Sequence, residues 1–197
     1  FTVRPGCLIP RPETEELCRW IEEDYYPSAP AILDIGTGSG CIAATLALDI
    51  PGAKVDAWDI SDEAIAIAND NIHSLMADVN VTRCDALNPP ADVGKYDVIV
   101  SNPPYICDSE RSGMEANVLE YEPPTALFVP DDDALLFYRA IAHYASLSLT
   151  PGGTLYFEIN PLCHSEMCSM LDASGYVDVL IRNDQFGKKR FIKATKR

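Results

Sequence analysis

Asn102-Pro103-Pro104-Tyr105 is the stretch of this chain best equipped for chemistry. Two consecutive prolines have fixed φ and no N–H, so the backbone there is stiff and its carbonyls are free to accept hydrogen bonds. The side-chain carbonyl of Asn102 adds an acceptor beside them. Such a pair next to an aromatic face suits a planar –NH2 group. Its two hydrogens can go to the Asn102 and Pro103 oxygens, with Tyr105 against the plane and Pro104 completing the wall. A proline-rich turn under a core tyrosine would carry the same four letters, so the surroundings must decide.

A second constellation lies upstream. Ala31-Ile32-Leu33-Asp34-Ile35, a predicted strand, runs into Gly36-Thr37-Gly38-Ser39-Gly40 ahead of a predicted helix from Cys41 to Asp49. Glycines at alternate positions let the backbone turn tightly and let a ligand press on the main chain at a helix N-terminus. A dinucleotide fingerprint would need its third glycine at 41, where Cys41 stands. The order of strand, Asp34, G-x-G-x-G and helix instead resembles motif I of the S-adenosylmethionine-dependent methyltransferases, whose loop wraps the methionine part of the cofactor. That resemblance makes Asp34, Gly36, Thr37, Gly38, Ser39 and Gly40 cofactor candidates. Asp59 ends the second predicted strand (Lys54 to Asp59), where a carboxylate takes ribose hydroxyls. After the third predicted strand (Val79 to Arg83), Asp85 is expected to take the adenine amino group. Ile60 and Ala86 flank the two acids, and Asn102 is expected near the methionine end of the cofactor. As loop caps, both acids also have an ordinary structural use.

The elements that must position these groups are legible in turn. The apolar run Tyr96 to Val100 reads as a buried strand, so Asn102 falls at its carboxyl end, where open α/β sheets bind ligands. Phe1 to Pro10 reads as a hairpin or extended arm, and Pro12 opens a helix carrying Leu17, Trp20, Ile21 and Tyr25 at helical spacing. Ser61 caps a helix with Ala64, Ile65, Ile67, Ala68 and Ile72 on its inner face. Residues 106–131 show low periodicity and many acids and prolines, and are expected to form a long functional loop or lid. A helix is predicted over Asp132 to Leu149, then Pro151-Gly152-Gly153 as a turn into a strand from Thr154 to Ile159. A helix from Ser165 to Ala173 and a closing hairpin of Val177 to Ile181 with Arg190 to Ala194 complete the chain. The sum is an α/β fold, a doubly wound, mostly parallel seven-stranded sheet with one reversed strand.

Composition narrows the classes. With 197 residues, 47% hydrophobic and 23% charged, the chain suits one soluble domain. No apolar run approaches the ~20 residues needed to cross a bilayer. Seven scattered cysteines without a CxxC pair argue against a disulfide frame and against a metal site. The net charge of −15 would repel a polyanion, although residues 182–197 hold seven Lys and Arg against the single Asp184.

Laid end to end, the motifs resemble the protein N5-glutamine methyltransferases that modify peptide-chain release factors. The likeness rests on Leu8-Ile9-Pro10-Arg11-Pro12-Glu13-Thr14-Glu15, the Asp34 to Gly40 loop and Asn102 to Tyr105. It continues through Tyr121-Glu122-Pro123-Pro124-Thr125-Ala126-Leu127 and the spacing Asp184-x-x-Gly-x-x-Arg190. Asn-Pro-Pro-Tyr alone is shared with amino methyltransferases of DNA and RNA; the flanking runs are narrower signals. The resemblance implies a class I, Rossmann-like methyltransferase that uses S-adenosylmethionine and releases S-adenosylhomocysteine. Its substrate would be a release factor in the cytoplasm, and it would work as a monomer without membrane or nucleic-acid partners. Asn102, Pro103 and Tyr105 would be catalytic, and Pro12, Thr14 and Glu122 would wall the substrate pocket. Residues 1–30 are expected to be an arm and helix leading into a catalytic domain over 31–197. An upstream helical substrate-gripping domain is expected to be missing from a chain that begins at Phe1. The rival reading is a nucleic-acid amino methyltransferase acting on adenine N6 or guanine N2.

Overall fold

In the computed structural model, which describes residues 1–91, 95–114 and 116–197 and the side chains of all of these except 116 and 117, residues 1–10 form an extended arm. The arm is tied to the body by Thr2 N–H donating to Asn71 at 2.7 Å and by buried Cys7 packing on Ala64 and Ile67. It does not pair as a hairpin. Pro12 opens α1 (Pro12–Tyr25), where its missing N–H costs nothing, with Glu13 and Glu15 in the positive first turn. Then follow β1 (Ala31–Ile35), α2 (Cys41–Asp49), β2 (Lys54–Asp59), α3 (Asp62–Leu75), β3 (Val79–Arg83) and β4 (Tyr96–Ser101). Ser61 caps α3 by accepting from Ala64 N–H at 3.2 Å.

The stretch from 106 to 131 is not a bare loop; position 115 lies outside the described residues. It folds into β5 (Ile106–Cys107), a 3-10 turn (Asp108–Gly113), α4 (Ala116–Tyr121), α5 (Pro124–Leu127) and β6 (Phe128–Val129). β5 and β6 pair in parallel as a separate two-stranded sheet. Elements this short carry no readable period, which is why the sequence pattern missed them. α6 (Leu136–Ser148) begins four residues later than expected, because Asp131 to Leu135 is spent on turns. β7 (Leu149–Glu158) begins earlier. Pro151-Gly152-Gly153 is an irregularity inside the strand, and pairing with β4 jumps from Tyr96 and Leu149 to Val98 and Thr154. α7 (His164–Ala173), β8 (Tyr176–Asn183) and β9 (Lys189–Lys196) follow.

The large sheet runs β3-β2-β1-β4-β7-β9-β8, with β9 antiparallel to both neighbours and the remaining pairs parallel. Strand parity sorts the core. Leu33, Ile99, Leu155 and Phe157 face α6 and α7, while Ile32, Val98, Val100 and Tyr156 face α1 and α2. The order departs from β1 to both sides, so the switch point lies between β1 and β4, beneath their carboxyl ends.

Candidate active site

A cavity of about 470 Å³ opens at that switch point. One wall is the Gly36 to Ser39 turn. Gly36, Gly38 and Gly40 all have positive φ, at 75°, 55° and 79°, a region in which a Cβ is strained. Gly36 and Thr37 N–H both donate to Trp58 O, at 2.8 and 2.9 Å, which fixes the turn over β2. Beside Gly36 and Gly38 a side chain would meet open space; beside Gly40 it would not, because a Cβ there lies 3.2 Å from Ala68 Cα. Gly40→Ala therefore combines left-handed strain with a tight approach to the Ala68 backbone and is expected to cost roughly 2–3 kcal/mol. Thermal unfolding should fall by about 4–12 °C in consequence.

Asp34 sits wholly buried beneath the turn and accepts Thr37 Oγ1–H at 2.6 Å. Burial pushes its carboxyl up to about 7, against the pull of the Thr37 hydrogen bond. An unfolded carboxyl titrates near pH 4, so the folded state holds the proton longer. Stability carried by this group is then full below about pH 4 and is lost as pH rises to about 7, at up to roughly 1.4 kcal/mol per pH unit. Asp34→Asn keeps an acceptor for Thr37 and should flatten that slope in denaturation curves taken between pH 4 and 8.

The two strand-end acids stand on the same cavity wall. Asp59 accepts from Gly38 N–H at 2.9 Å and from Ser61 N–H at 3.0 Å, which aims its carboxylate across the turn. Each oxygen keeps a lone pair for a further donor. Asp85 accepts from Leu87 N–H and the Asn88 amide, and it lines the cavity with Ile60 and Ala86.

Asn102, Pro103 and Pro104 line the far end, one step past β4. Asn102 Oδ1 is buried and has no hydrogen-bond partner among the described residues. Its Nδ2 donates to Thr14 Oγ1 over 3.4 Å. Thr14 Oγ1 in turn donates to Glu158 Oε2 at 2.9 Å, and Tyr105 OH donates to Glu158 Oε1 at 3.1 Å. Burial pushes the Glu158 carboxyl up, while these two hydroxyls and the nearby Arg190 charge pull it back. Burial also holds the Tyr105 phenol well above its ordinary range, so it stays protonated as a donor.

Of the expected site residues, Thr14, Gly36, Thr37, Gly38, Ser39, Asp59, Ile60, Asp85, Ala86, Asn102, Pro103 and Pro104 share the cavity wall. Asp34, Gly40, Pro12, Tyr105 and Glu122 are not part of that wall, and Pro12 is exposed. Tyr105 is held by Glu158, and Glu122 is buried against the Arg11 guanidinium. That ion pair ties the start of α1 to the segment before α5, and Pro123, Thr125, Ala126, Phe128 and Pro130 of that region close the cavity on one side. Sequence reasoning missed Glu158 and the wall made by Gly6, Leu8 and Pro10 of the arm. A single acid ending the apolar run Leu155-Tyr156-Phe157 was the available signal for the first.

Comparison with known proteins places the chain. Residues 14–121 match the family described as Methyltransferase small domain. A release factor glutamine methyltransferase of Bacteroides thetaiotaomicron is 52% identical over the whole chain, which spans 70% of that protein. One of Flavobacterium psychrophilum is 43% identical over 98% of the chain and 69% of its own length. Among solved structures, a Pyrococcus furiosus methyltransferase superposes with TM-score 0.72 at 20% identity, covering 100% of this chain and 88% of that one. A Thermus thermophilus 16S rRNA N2 G1207 methyltransferase, solved with AdoMet and guanosine, gives 0.70 at 18% identity over 98% of this chain and 45% of that one. At such identities the two structures speak for the fold. S-adenosylmethionine is the cofactor, and the cavity suits it, with open space above Gly36 and Gly38 and carboxylates at the ends of β2 and β3. The chain is an S-adenosylmethionine-dependent methyltransferase and belongs to the release factor glutamine methyltransferase family.

Proposed function

We propose that this domain methylates the side-chain amide nitrogen of a glutamine in a peptide-chain release factor. The observation that carries the reading is the buried, unpartnered Oδ1 of Asn102 on the cavity wall. A buried acceptor left unmatched costs about 1–3 kcal/mol, and an incoming N–H donor removes that cost. The relatives, which are release factor glutamine methyltransferases, supply the substrate class.

When bound, S-adenosylmethionine supplies an electrophilic methyl group. Asn102 Oδ1 and Pro103 O take the two hydrogens of the glutamine amide, which leaves its nitrogen facing the cavity. An amide nitrogen is a poor nucleophile because its lone pair is shared with the carbonyl. Drawing both N–H bonds toward acceptors stabilises the positive charge that builds on nitrogen, and holding the nitrogen still removes the entropy of alignment. No strong general base is demanded, since the charged nitrogen sheds its proton once the C–N bond has formed. Tyr105, fixed by Glu158, stiffens the loop behind the acceptors. Asp59 takes the ribose hydroxyls, Asp85 the adenine amino group and the Gly36 to Gly40 turn the methionine part. Pro12, Thr14 and Glu122 frame the substrate end, with Thr14 on the wall and the other two outside it.

The reading carries with it a release factor as partner, a cytoplasmic location and a monomeric working state. Among the described residues, no helix is long and apolar enough to cross a membrane. The test incubates the protein with a release factor and methyl-labelled cofactor, then maps the label by peptide mass spectrometry. Label on one glutamine supports the reading. Label on RNA or DNA offered in parallel, or on neither, overturns it.

A further inference from the structure

Parity along two strands brings together side chains that lie far apart in the chain. Val98 and Val100 face α1, and Asn102 continues that series one residue beyond β4. Tyr156 faces α1 as well, so Glu158, two residues on, meets the same helix at the carboxyl end of β7. Thr14, in the first turn of α1, sits between them. Both Thr14 and Glu158 are almost fully buried, at 5% and 2% exposure.

We propose that Glu158 is a positioning residue which, acting through Thr14, holds the Asn102 amide with its oxygen toward the cavity. The proposal rests on the reading that Asn102 accepts from the substrate amide.

In its ionised form the Glu158 carboxylate has lone pairs and no proton to give, so Thr14 and Tyr105 can only donate to it. A threonine hydroxyl has a single hydrogen. With that hydrogen committed to Glu158, Thr14 Oγ1 can only accept, and the Asn102 group that reaches it must be the NH2. Oδ1 is thereby turned the other way and is the atom left without a partner. Remove the carboxylate and Thr14 regains a free proton, which Asn102 Oδ1 can take once the amide rotates by half a turn. The cavity would then present an NH2 to a substrate NH2, donor against donor. The same carboxylate holds Tyr105, so one buried charge fixes both polar residues of the Asn102 to Tyr105 loop. The nearby Arg190, held by Asp184 at 3.2 Å, helps keep that charge on Glu158.

Glu158→Met removes the carboxylate at similar length, and because it leaves the Thr14 and Tyr105 hydroxyls without their acceptor, thermal unfolding is read beside turnover to separate this role from packing. Thr14→Val removes the relay at its middle, and Thr14→Ser preserves it. In Glu158→Met and in Thr14→Val, kcat on a release factor should drop by about 30-fold, with Kd for S-adenosylhomocysteine unchanged within about threefold and KM for the release factor rising far less than kcat falls. The double variant should lose no more than Glu158→Met alone, since Thr14→Val cuts a relay that Glu158→Met has already cut. Thr14→Ser should restore turnover to within about threefold of the parent. A readout independent of activity is nuclear Overhauser contact in asparagine-labelled protein. Cross-peaks from the Asn102 NH2 protons to the Thr14 methyl should be present in the parent and lost in Glu158→Met.

Cross-peaks that persist in Glu158→Met, or that are missing in the parent, overturn the proposal. So do additive losses in the double variant, or cofactor affinity falling in step with kcat. A parent protein that leaves release factors unmethylated while its cross-peaks vanish in Glu158→Met would instead sink the substrate assignment and leave the relay standing.

Discussion

Replacing Asn102 by alanine is expected to lower kcat for glutamine methylation on the order of a thousandfold, or about 4 kcal/mol of transition-state stabilisation. The size follows from what is lost. Asn102 Oδ1 is a buried acceptor without a partner among the described residues, on the proposed reading it receives the substrate donor, and the proline backbone beside it cannot shift to take over. Hydrogen bonds that strengthen as charge develops show in kcat, whereas uniform ground-state binding shows in KM. KM for the release factor should therefore rise only several-fold, and S-adenosylhomocysteine should bind almost as before. Asn102→Asp is the informative companion. It keeps two acceptors but loses the NH2 that meets Thr14, and it adds a carboxylate near buried Glu158. Its turnover should fall between the parent and the alanine variant. Single-turnover rates with saturating cofactor would check both, and an alanine variant within about tenfold of the parent would remove Asn102 from the chemistry.

The groups just discussed differ in how openly the sequence displays them. Asn102 is visible because an apolar strand ends one residue before it and two prolines follow. The glycine turn is visible because three glycines alternate between a strand and a helix. Each signal is local. Glu158 has no local signal beyond an acid at the end of Leu155-Tyr156-Phe157, because its partners Thr14 and Tyr105 are 144 and 53 residues away and meet it only once the sheet is ordered. The arm is opaque for another reason. Gly6, Leu8 and Pro10 line the cavity from an extended segment with no period, held by isolated contacts such as the paired hydrogen bonds between Thr2 and Asn71. Between positions 106 and 131, helices of four and six residues and a sheet of two-residue strands are too short for periodicity to register. The misplaced start of β7 has a similar source. Pro151-Gly152-Gly153 reads as a terminator, yet Leu149 still pairs with Tyr96 on the far side of it.

Asp59 tests the other half of the site. Its carboxylate is already braced by the Gly38 and Ser61 N–H groups, so it meets a nucleoside without reorganising. Preorganised, charge-assisted hydrogen bonds to hydroxyls are worth about 1.5–3 kcal/mol each. On the proposed contact with the ribose, Asp59→Ala should weaken S-adenosylhomocysteine binding on the order of a hundredfold, and Asp59→Asn, which keeps one acceptor, by about tenfold. The alanine change also frees the Gly38 N–H and loosens the turn, which by itself would lower cofactor affinity. Adenosine and 2′-deoxyadenosine, titrated calorimetrically against parent and variant, separate the two effects. If the carboxylate contacts the sugar, the parent should prefer adenosine and Asp59→Ala should lose that preference. If only the turn has loosened, the preference survives while both ligands weaken together. A parent that binds the two nucleosides equally would leave Asp59 as a brace for the Gly38 turn and nothing more.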